Sequence, residues 1–269
     1  MSPQTPTVSI VVPTKNEAAN LREVLPQLPT EYEIVVVDGN SVDDTVEVAL
    51  ALRPDAKIVQ QTRTGKGNAL AAGFLAATGD IIVMFDADGS ADPAEIPAFV
   101  QALVDGAHFA KGSRFAQGGG SEDITGLRTW GNNGLNWLAN AAFGTRCSDL
   151  CYGYNAFWRS LVPVLDLPAL DLDAPKDGML WGDGFEIETV INCRFAAAEV
   201  LITEVPSVEL ARIHGESNLR TFSDGTRVLR TIAAEFARMR KSRTARRPEP
   251  VSAHRTAGFL TAEAVTLVA

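Results

Sequence analysis

Three short acidic turns are the parts of this sequence best suited to chemistry. Glu17 ends a run that begins at Pro13, Asp38 precedes Gly-Asn-Ser, and Asp86 and Asp88 flank an alanine. Carboxylates gathered in one place repel one another and lose solvation, so such a cluster needs a cation or hydrogen-bond donors. Hard oxygen ligands of this kind suit Mg²⁺ or Mn²⁺ bound together with phosphate groups.

Each turn also has a plain structural interpretation. Asp88, Ser90 or Asp92 could cap a helix that begins near Pro93, and Asp38-Gly39 could form an ordinary turn. What distinguishes the three turns is that each follows a predicted strand, at what would be the same edge of one sheet. In open parallel sheets, ligands bind beyond the carboxyl ends of the strands. The three turns together therefore indicate a binding site, although no single turn does.

Alternating strands and helices are predicted to position these turns. Buried β-branched runs predict strands over residues 8–12, 33–37, 57–60 and 81–85, and the segments between and after them predict helices over residues 18–28, 42–52, 67–77 and 93–104. This rhythm is typical of the α/β class, with a mainly parallel central sheet and helices on both faces.

The second half of the chain is less regular. It predicts strands over residues 109–112, 154–158 and 200–205, and helices over residues 128–143, 185–197 and 224–241. The glycine-rich segment 116–126 could be a mobile lid or a plain surface loop. From residue 242 the composition, rich in Arg, Pro, Ala and Thr, predicts a flexible tail.

Composition excludes several classes of protein. The chain has 269 residues and a formal net charge of −9, and this acidic balance argues against a nucleic-acid partner. Three cysteines are too few, and odd in number, for a disulfide framework, which fits a reducing compartment. No secretory signal is recognisable, and no stretch approaches the ~20 apolar residues of a membrane-spanning helix.

These features predict a cytoplasmic protein, with one qualification. The last predicted helix ends in Arg238-Met-Arg240-Lys241. Basic charge at a helix C-terminus compensates the helix dipole, which is one explanation of this run. The other is a peripheral contact between the basic C-terminal helix and anionic lipid at the inner face of a membrane.

Taken together, these motifs resemble those of the family-2 glycosyltransferases, which have the GT-A fold. The matching motifs are Pro13-x-x-Asn16-Glu17, Val37-Asp38-Gly39 with Ser41 and Asp44-Thr45, Gly65-Lys66-Gly67-Asn68-Ala69, Thr78-Gly79-Asp80, Asp86-x-Asp88 and Gly112-Ser113-Arg114. The resemblance covers about residues 7–240 and is strongest over the first 115. It implies one GT-A domain over residues 1–242, divided into a nucleotide-sugar-binding half (1–115) and a mixed acceptor half (116–242), followed by a tail over 243–269.

The resemblance implies roles for the donor-binding residues. Pro13, Glu17 and Asp38 would hold the base and ribose of a nucleoside-diphosphate sugar. Lys66 would lie near the base or a phosphate.

It also implies a metal site. Asp88 would bind a Mg²⁺ or Mn²⁺ ion that bridges the two phosphates, and Asp86 would approach the ribose or the metal. Ala87 would lie between them in the nucleotide-sugar site. Arg114 would face a phosphate or an anionic acceptor, where its planar fork is well suited.

A C-terminal segment extends the resemblance to one branch of the family. The run from Arg212 to Asn218 is similar to the Arg-x-x-Gly-x-Ser-Lys segment of polyprenyl-phosphate (dolichol-phosphate) mannosyl- and glucosyltransferases. It departs from them at Asn218, where those enzymes carry Lys, and at Gly89-Ser90, where they usually carry an apolar residue and Gln. His214, within this segment, would approach the metal or the diphosphate.

A general base is needed only for some acceptors. A hydroxyl acceptor benefits from a carboxylate base in an inverting displacement, whereas a phosphate acceptor is already anionic. Glu186 and Glu188 would be about 200° apart around a helix, so only one can point into the cleft. We select Glu186, near the helix start, as the base and keep Asp149 as the other candidate.

The predicted function is an inverting, metal-dependent glycosyltransferase. It would move a hexose from a donor of the UDP-glucose or GDP-mannose type to a polyprenyl phosphate, a glycan or a small-molecule hydroxyl. The alternatives are a sugar-phosphate nucleotidyltransferase and a non-catalytic nucleotide-sugar sensor. A nucleotidyltransferase favours a glycine-rich basic loop directly after the first strand, which this sequence lacks. The sequence alone does not distinguish a sensor from a transferase.

Overall fold

A computed structural model describes residues 5–122, 126–176, 178–215 and 221–245. Its strands are β1 (Val8–Thr14), β2 (Glu33–Asp38), β3 (Lys57–Gln60), β4 (Ile81–Met84), β5 (Phe109–Ser113), β6 (Gly120–Ser121), β7 (Asn155–Trp158), β8 (Ile202–Pro206) and β9 (Val208–Glu209). Seven of them form the central sheet in the order β3-β2-β1-β4-β7-β5-β8. Only β7 runs antiparallel to its two neighbours in this sheet. The predicted α/β class and mainly parallel sheet are confirmed.

Helices cover both faces of this sheet. They are α1 (Ala18–Val24), α2 (Thr45–Leu52), α3 (Lys66–Ala76), α4 (Ile96–Val104), α5 (Gly126–Phe143), α6 (Ile187–Ala197) and α7 (Thr221–Ala245), with short 3₁₀ segments at Leu25–Gln27, Pro93–Glu95 and Arg159–Leu165. Among the described residues, none of these helices is long and apolar enough to cross a membrane.

Alternation along β1 explains the two faces. Ile10 and Val12 point into a core shared with α1, α2 and α4, whereas Val11 points into a core shared with α3 and α6. Successive side chains of a strand point to opposite faces, so a strand buried on both sides is apolar throughout. A third, smaller cluster joins α5, α6 and α7 through Ala139, Cys193 and Ile232.

Prolines account for two differences from the predicted helices. The helix predicted over 18–28 gives way at Leu25 to a 3₁₀ turn that contains Pro26, because proline has no backbone N–H to donate. The helix predicted over 93–104 likewise begins with a 3₁₀ turn at Pro93, capped by the Asp92 carboxylate, which accepts from Ala94 N at 2.9 Å.

The C-terminal boundary also differs from the prediction. Residues 243–245, predicted to begin a flexible tail, belong to α7, and the rest of that tail (246–269) lies outside the described residues. Part of the glycine-rich segment 116–126 is ordered as well, since β6 pairs in parallel with β9. Residues 123–125 of that segment lie outside the described residues.

The two predicted halves of the domain share one sheet. β7 comes from the second half of the chain, yet it lies between β4 and β5 of the first half. β8 then extends the same sheet beyond β5. The division at residue 115 therefore does not separate two cores.

Candidate active site

The three acidic turns lie at one edge of the sheet. β1 pairs in parallel with both β2 and β4, so the carboxyl ends of all three strands point the same way. These strands end at Thr14, Asp38 and Met84, so Glu17, Asp38 and Asp86 lie at or just beyond this edge. The first two turns are bonded to each other: Asn16 N donates to Ser41 Oγ at 2.9 Å.

Lys66, the first residue of α3, joins two carboxylates from distant parts of the chain. Its Nζ lies 2.8 Å from Asp86 Oδ1 and 2.7 Å from Glu188 Oε1. Burial alone would lower the pKa of Lys66, but the charges of Asp86 and Glu188 raise it above its ordinary value. The ammonium group therefore stays protonated and holds both carboxylates.

One lysine does not neutralise this cluster. Burial raises the pKa of Asp86, and the charges of Asp88 and Glu188 raise it further, even with Lys66 in contact. The pKa of Glu17 is also raised, mainly by burial and in part by the charges of Asp88 and Asp86. These carboxylates thus occupy an environment in which an added cation would be stabilised.

A segment from the C-terminal part of the chain lies along the Asp-x-Asp turn. We call residues 210–215 the strap. Its backbone amides at positions 210 and 213 donate to the carbonyl oxygens of Ser90 (2.9 Å) and Asp88 (3.1 Å). The amide of His214 donates to Asn20 Oδ1 at 3.0 Å. The strap is therefore fixed at three points around the acidic cluster.

The strap brings a second cation to the site. Arg212 Nη2 lies 2.7 Å from Asp88 Oδ2, and Ser90 N donates to the other carboxylate oxygen of Asp88 at 2.9 Å. Asp86 and Asp88 thus each contact a basic side chain.

The expected metal ligands are not all brought together. His214 is exposed, and the described residues contain no group of three His, Cys, Asp or Glu side chains arranged to hold a metal ion. The set of Asp86, Asp88 and His214 expected from the sequence is therefore not preassembled. The backbone of His214, rather than its ring, is what the strap bonds to Asn20.

The predicted ribose-binding residues shape their own turn. Asp38 is buried, and its carboxylate accepts from Ser41 N at 3.2 Å and from Gln60 Nε2 at 3.1 Å. Pro13 is half-buried at the end of β1, opposite Val37 of β2. Ala87, between the two acidic residues of the third turn, is buried in the core.

Glu188, and not Glu186, is the glutamate that enters the acidic cluster. Glu186 Oε1 accepts from the backbone amides of Gly182 (2.9 Å) and Gly184 (3.2 Å), so its carboxylate closes the loop before α6. α6 begins at Ile187, which turns Glu188 toward Lys66. The choice of Glu186 as the cleft-facing residue was wrong, because its own loop amides are the nearer partners.

Arg114 and Asp149 bind each other. Arg114 Nε and Nη2 lie 2.7 and 3.0 Å from the two oxygens of Asp149, and Nη1 lies 3.0 Å from Glu209 Oε2. Burial alone would raise the pKa of Asp149, but the hydrogen bonds and charge of Arg114 keep it below its ordinary value. In this structure the Arg114 guanidinium contacts carboxylates and not an open phosphate site, and Asp149 is a weak base.

A buried ion pair that the sequence analysis missed supports the site. Arg63 Nε and Nη2 lie 2.7 and 2.9 Å from the two oxygens of Asp183. The carbonyl of Asp183 also accepts from the amides of Gly67 (2.7 Å) and Asn68 (3.1 Å) at the start of α3. A Cβ at Gly67 would collide with the carbonyl of Gly182. The Gly-Lys-Gly motif was the only sequence signal for this contact.

Sequence comparisons place these features among known proteins. A family model described as "Glycosyl transferase family 2" matches residues 9–165. An uncharacterized glycosyltransferase of Mycobacterium tuberculosis is 44% identical over 107 residues, which is 40% of this chain and 48% of that protein, so the match spans about half the length of that relative. The dolichol-phosphate mannosyltransferase of Pyrococcus furiosus is 30% identical over 225 residues, 79% of this chain and 59% of that protein. The polyprenol monophosphomannose synthase of Mycolicibacterium smegmatis is 31% identical over 208 residues, 72% of this chain and 76% of that protein.

Solved structures share the fold. The glucosyl-3-phosphoglycerate synthase of Mycobacterium tuberculosis, in complex with Mn²⁺, UDP-glucose and phosphoglyceric acid, has a TM-score of 0.63 and 24% sequence identity, over 86% of this chain and 80% of that chain. The same synthase with Mg²⁺ and UDP gives the same TM-score and identity. The family match covers more than half of the chain and the fold agrees with it: this protein belongs to glycosyl transferase family 2.

Proposed function

We propose that this protein transfers a hexose from a nucleoside-diphosphate sugar, with inversion at the anomeric carbon, in a reaction that depends on Mg²⁺ or Mn²⁺. The observation that carries this proposal is the mixed cluster at the carboxyl edge of the sheet. It combines Asp86, Asp88 and Glu17 with the cations of Lys66 and Arg212. Carboxylates for a metal and cations for a diphosphate are what such a donor requires.

The carboxylates of the acidic motif are suitable ligands for a divalent cation. Asp86 and Asp88 would hold the ion, because burial and like charge already raise the pKa of Asp86. Mg²⁺ commonly takes one or two carboxylates and completes its shell with water and substrate phosphates, so two protein ligands suffice. When bound, the ion would supply charge stabilisation to the diphosphate leaving group.

The protein's own cations would act on the same leaving group. Opening the bond between sugar and diphosphate concentrates negative charge on the phosphate oxygens. Lys66 and Arg212 are held on the acidic motif by 2.7–2.8 Å contacts, so they are in place before this charge develops. Preorganised cations of this kind stabilise a transition state without reorganisation. Pro13, Glu17 and Asp38 would then hold the base and ribose at the adjoining turns.

For the acceptor we propose a polyprenyl phosphate. Two relatives that align with most of this chain are named dolichol-phosphate mannosyltransferase and polyprenol monophosphomannose synthase. In this protein, apolar side chains are exposed in the loop before α6: Met179, Trp181 and Phe185. A Cβ added at Gly65, next to Lys66, would lie 3.1 Å from the Met179 sulfur, so Met179 is close to this turn. The Arg227 guanidinium lies 5.9 Å from the centre of the Phe185 ring. An apolar surface with a cation beside the site suits an acceptor that has an isoprenoid chain and a phosphate.

A hydroxyl acceptor, in a glycan or a small molecule, is the second candidate. It is favoured by Glu188, whose carboxylate lies in the acidic cluster with 12% of its side chain exposed. A hydroxyl nucleophile gains from such a base, whereas a phosphate does not need one. Family membership leaves no support for a nucleotidyltransferase, but a sensor without turnover must still be tested.

Donor hydrolysis tests the proposal. The protein is incubated with UDP-glucose or GDP-mannose and Mn²⁺, and release of UDP or GDP is measured with and without polyprenyl phosphate. Asp88→Ala should abolish metal-dependent release while its circular dichroism spectrum and melting temperature stay close to those of the unchanged protein. Glu31→Ala, which removes an exposed carboxylate in the loop before β2, is the control. Tight nucleotide-sugar binding without release would instead support the sensor, and full activity of Asp88→Ala would overturn the site assignment.

A further inference from the structure

Glu235 of α7 is a buried carboxylate with partners on two other elements. Its side chain is 3% exposed, and Arg194 of α6 binds both of its oxygens, through Nη2 at 2.9 Å and Nε at 3.0 Å. The indole Nε1 of Trp181, in the loop before α6, donates to Glu235 Oε1 at 2.8 Å. The Arg194 pair already compensates the buried charge, so the bond from Trp181 is an additional link between α7 and the loop.

The turn that carries Trp181 is short and internally bonded. Asp183 N donates to the Leu180 carbonyl oxygen at 3.0 Å, which closes a turn around Trp181. Gly182 N donates to Glu186 Oε1 at 2.9 Å. These two bonds hold the backbone next to Trp181, so its ring and the Asp183 carbonyl belong to one ordered turn.

The same turn docks on the start of α3. The Asp183 carbonyl accepts from Gly67 N at 2.7 Å and from Asn68 N at 3.1 Å. These two amides lie in the first turn of the helix, where an amide has no partner within the helix. Lys66 directly precedes them, so the position of its ammonium group between two carboxylates of the acidic cluster depends on this docking.

We propose that Glu235 is a positioning residue: through Trp181 it holds the loop before α6 against α3, and so keeps Lys66 in its place in the active site. The route runs from α7 to the loop and from the loop to α3, with hydrogen bonds of 2.7–3.1 Å at both joints. Only the effect on turnover rests on the proposed function, since the docking can be measured without a substrate.

A pair of matched tryptophan variants isolates this route. Trp181→Phe removes the indole N–H but keeps an apolar ring, so the ion pair of Arg194 with Glu235 and the apolar surface of the loop remain. Trp158→Phe is the control, because Trp158 Nε1 donates to the Ala107 carbonyl oxygen at 3.0 Å. Trp158 lies beside the amino end of β4, at the edge of the sheet opposite the acidic turns. Each variant loses one indole hydrogen bond, so a general loss of stability would affect both.

Hydrogen–deuterium exchange of the full chain, without substrate, measures the docking. The amides of Gly67 and Asn68 are the reporters, because the Asp183 carbonyl is their acceptor. A hydrogen bond to a charged group corresponds to about 10- to 100-fold in an equilibrium constant, so both amides should exchange about 10- to 100-fold faster in Trp181→Phe. In Trp158→Phe they should exchange as in the unchanged protein. Equal exchange of these amides in the two variants would overturn the proposal.

Metal-dependent hydrolysis of the donor, without an acceptor, tests the consequence for Lys66. Trp181→Phe should lower kcat by roughly 10- to 100-fold, because a misplacement of about 1 Å can cost about 10²-fold in rate. KM for the donor should change less, since the turns that would hold the base and ribose lie on other elements. Trp158→Phe should retain the kcat of the unchanged protein.

A second substitution tests whether Glu235 and Trp181 act as one unit. Glu235→Met removes the acceptor and should also destabilise the protein, because Arg194 keeps a buried charge. Adding Trp181→Phe to it should lower kcat no further, since the two side chains act through one bond. Equal kcat in Trp181→Phe and Trp158→Phe, or losses that add in the double variant, would overturn the positioning role. Absence of turnover by the unchanged protein would instead overturn the proposed function, and amide exchange would still decide whether Glu235 holds the loop.

Discussion

Lys66 and Arg212 show how single side chains define this site. Each contacts one aspartate of the Asp-x-Asp turn, at 2.8 and 2.7 Å respectively. Lys66 also holds Glu188, which comes from the second half of the chain, at 2.7 Å. The acidic motif is therefore surrounded by groups that can exchange partners when a charged donor binds.

Matched substitutions of Glu188 and Glu186 test which of the two acts as the general base. With a hydroxyl acceptor, Glu188→Gln should lower kcat by roughly 10²- to 10⁴-fold, the usual contribution of a general base. With a phosphate acceptor the loss should be much smaller, because no proton need be removed. Glu186→Gln, which alters only the loop bonds to Gly182 and Gly184, should retain most activity with either acceptor. Steady-state kinetics with both acceptor classes measures this, and a larger loss in Glu186→Gln would restore that residue as the base.

Arg212 should contribute to nucleotide binding. Arg212→Gln removes a charge that could contact the diphosphate, while the backbone hydrogen bonds of the strap to Ser90 and Asp88 remain. Hydrogen bonds to charged groups contribute about 1.5–3 kcal/mol, so the affinity for UDP or GDP with Mn²⁺ should fall about 10- to 100-fold. Isothermal titration calorimetry measures this, with the exposed Arg22→Gln as the control. Unchanged affinity in Arg212→Gln would show that this arginine serves only to hold Asp88.

At the scale of single residues, the sequence predicted the positions of side chains that lie next to the end of a strand. Asp38, Asp86 and Asp88 could be placed at one edge because each ends or follows a strand that a short run of β-branched residues reveals. The basic partner of Asp88 could not be predicted in this way. Arg212 is 124 positions from Asp88 along the chain, and only the folded strap brings the two side chains together. The same limit applies to Glu188, whose direction depends on where α6 begins.

The loop before α6 is the element that joins the donor and acceptor sides. Its Asp183 carbonyl accepts from two amides at the start of α3, at 2.7 and 3.1 Å. Those amides would otherwise be unpaired at the N-terminus of a helix. This docking places Lys66 and Glu188 next to each other, and it requires a residue without a side chain at Gly67.

Gly67→Ala should therefore disturb both the fold and the site. The added Cβ would collide with the carbonyl of Gly182, and overpacking against backbone costs about 1–3 kcal/mol. Gly134→Ala is the matched control, since a Cβ there meets nothing within 4 Å. An exposed helical glycine replaced by alanine should stabilise by roughly 0.5–1 kcal/mol. Chemical denaturation measures both changes, and equal stability of the two variants would contradict the docking argument.

Element boundaries were less predictable than element types. Periodicity identified the type of every long helix, but the 3₁₀ turns at Pro26 and Pro93 follow from hydrogen bonds that proline cannot make. The β6–β9 ribbon could not be predicted, because two-residue strands carry no period. α7 continues to Ala245 through a segment whose composition suggested a tail.

On the scale of the whole molecule, the sheet interleaves the two halves of the chain. β7 and β8, from beyond residue 150, complete a sheet begun by β1 to β5. The topology rule for parallel sheets predicted the first four strands but not the antiparallel insertion of β7. The Arg63–Asp183 pair adds a second link, since its partners are 120 positions apart and both are buried. Folding of one half without the other would leave strand edges and a buried charge exposed.

The whole protein should accordingly unfold in one transition, and Asp183→Asn should lower the midpoint of that transition without splitting it. Removing one partner of a buried ion pair leaves the Arg63 charge uncompensated, at a cost of about 3–5 kcal/mol. For a domain of this size that corresponds to a fall in melting temperature of about 10 °C. Asp166→Asn breaks an ion pair with Arg238 in which the two side chains are 73% and 43% exposed, and should leave the midpoint nearly unchanged because exposed pairs contribute little. Differential scanning calorimetry with equal calorimetric and van't Hoff enthalpies would establish cooperativity. Two resolved transitions in either variant would show that the two halves of the chain are separate folding units. The contacts of Lys66 with Glu188 and of Arg63 with Asp183 would then not be required for the stability of the donor half.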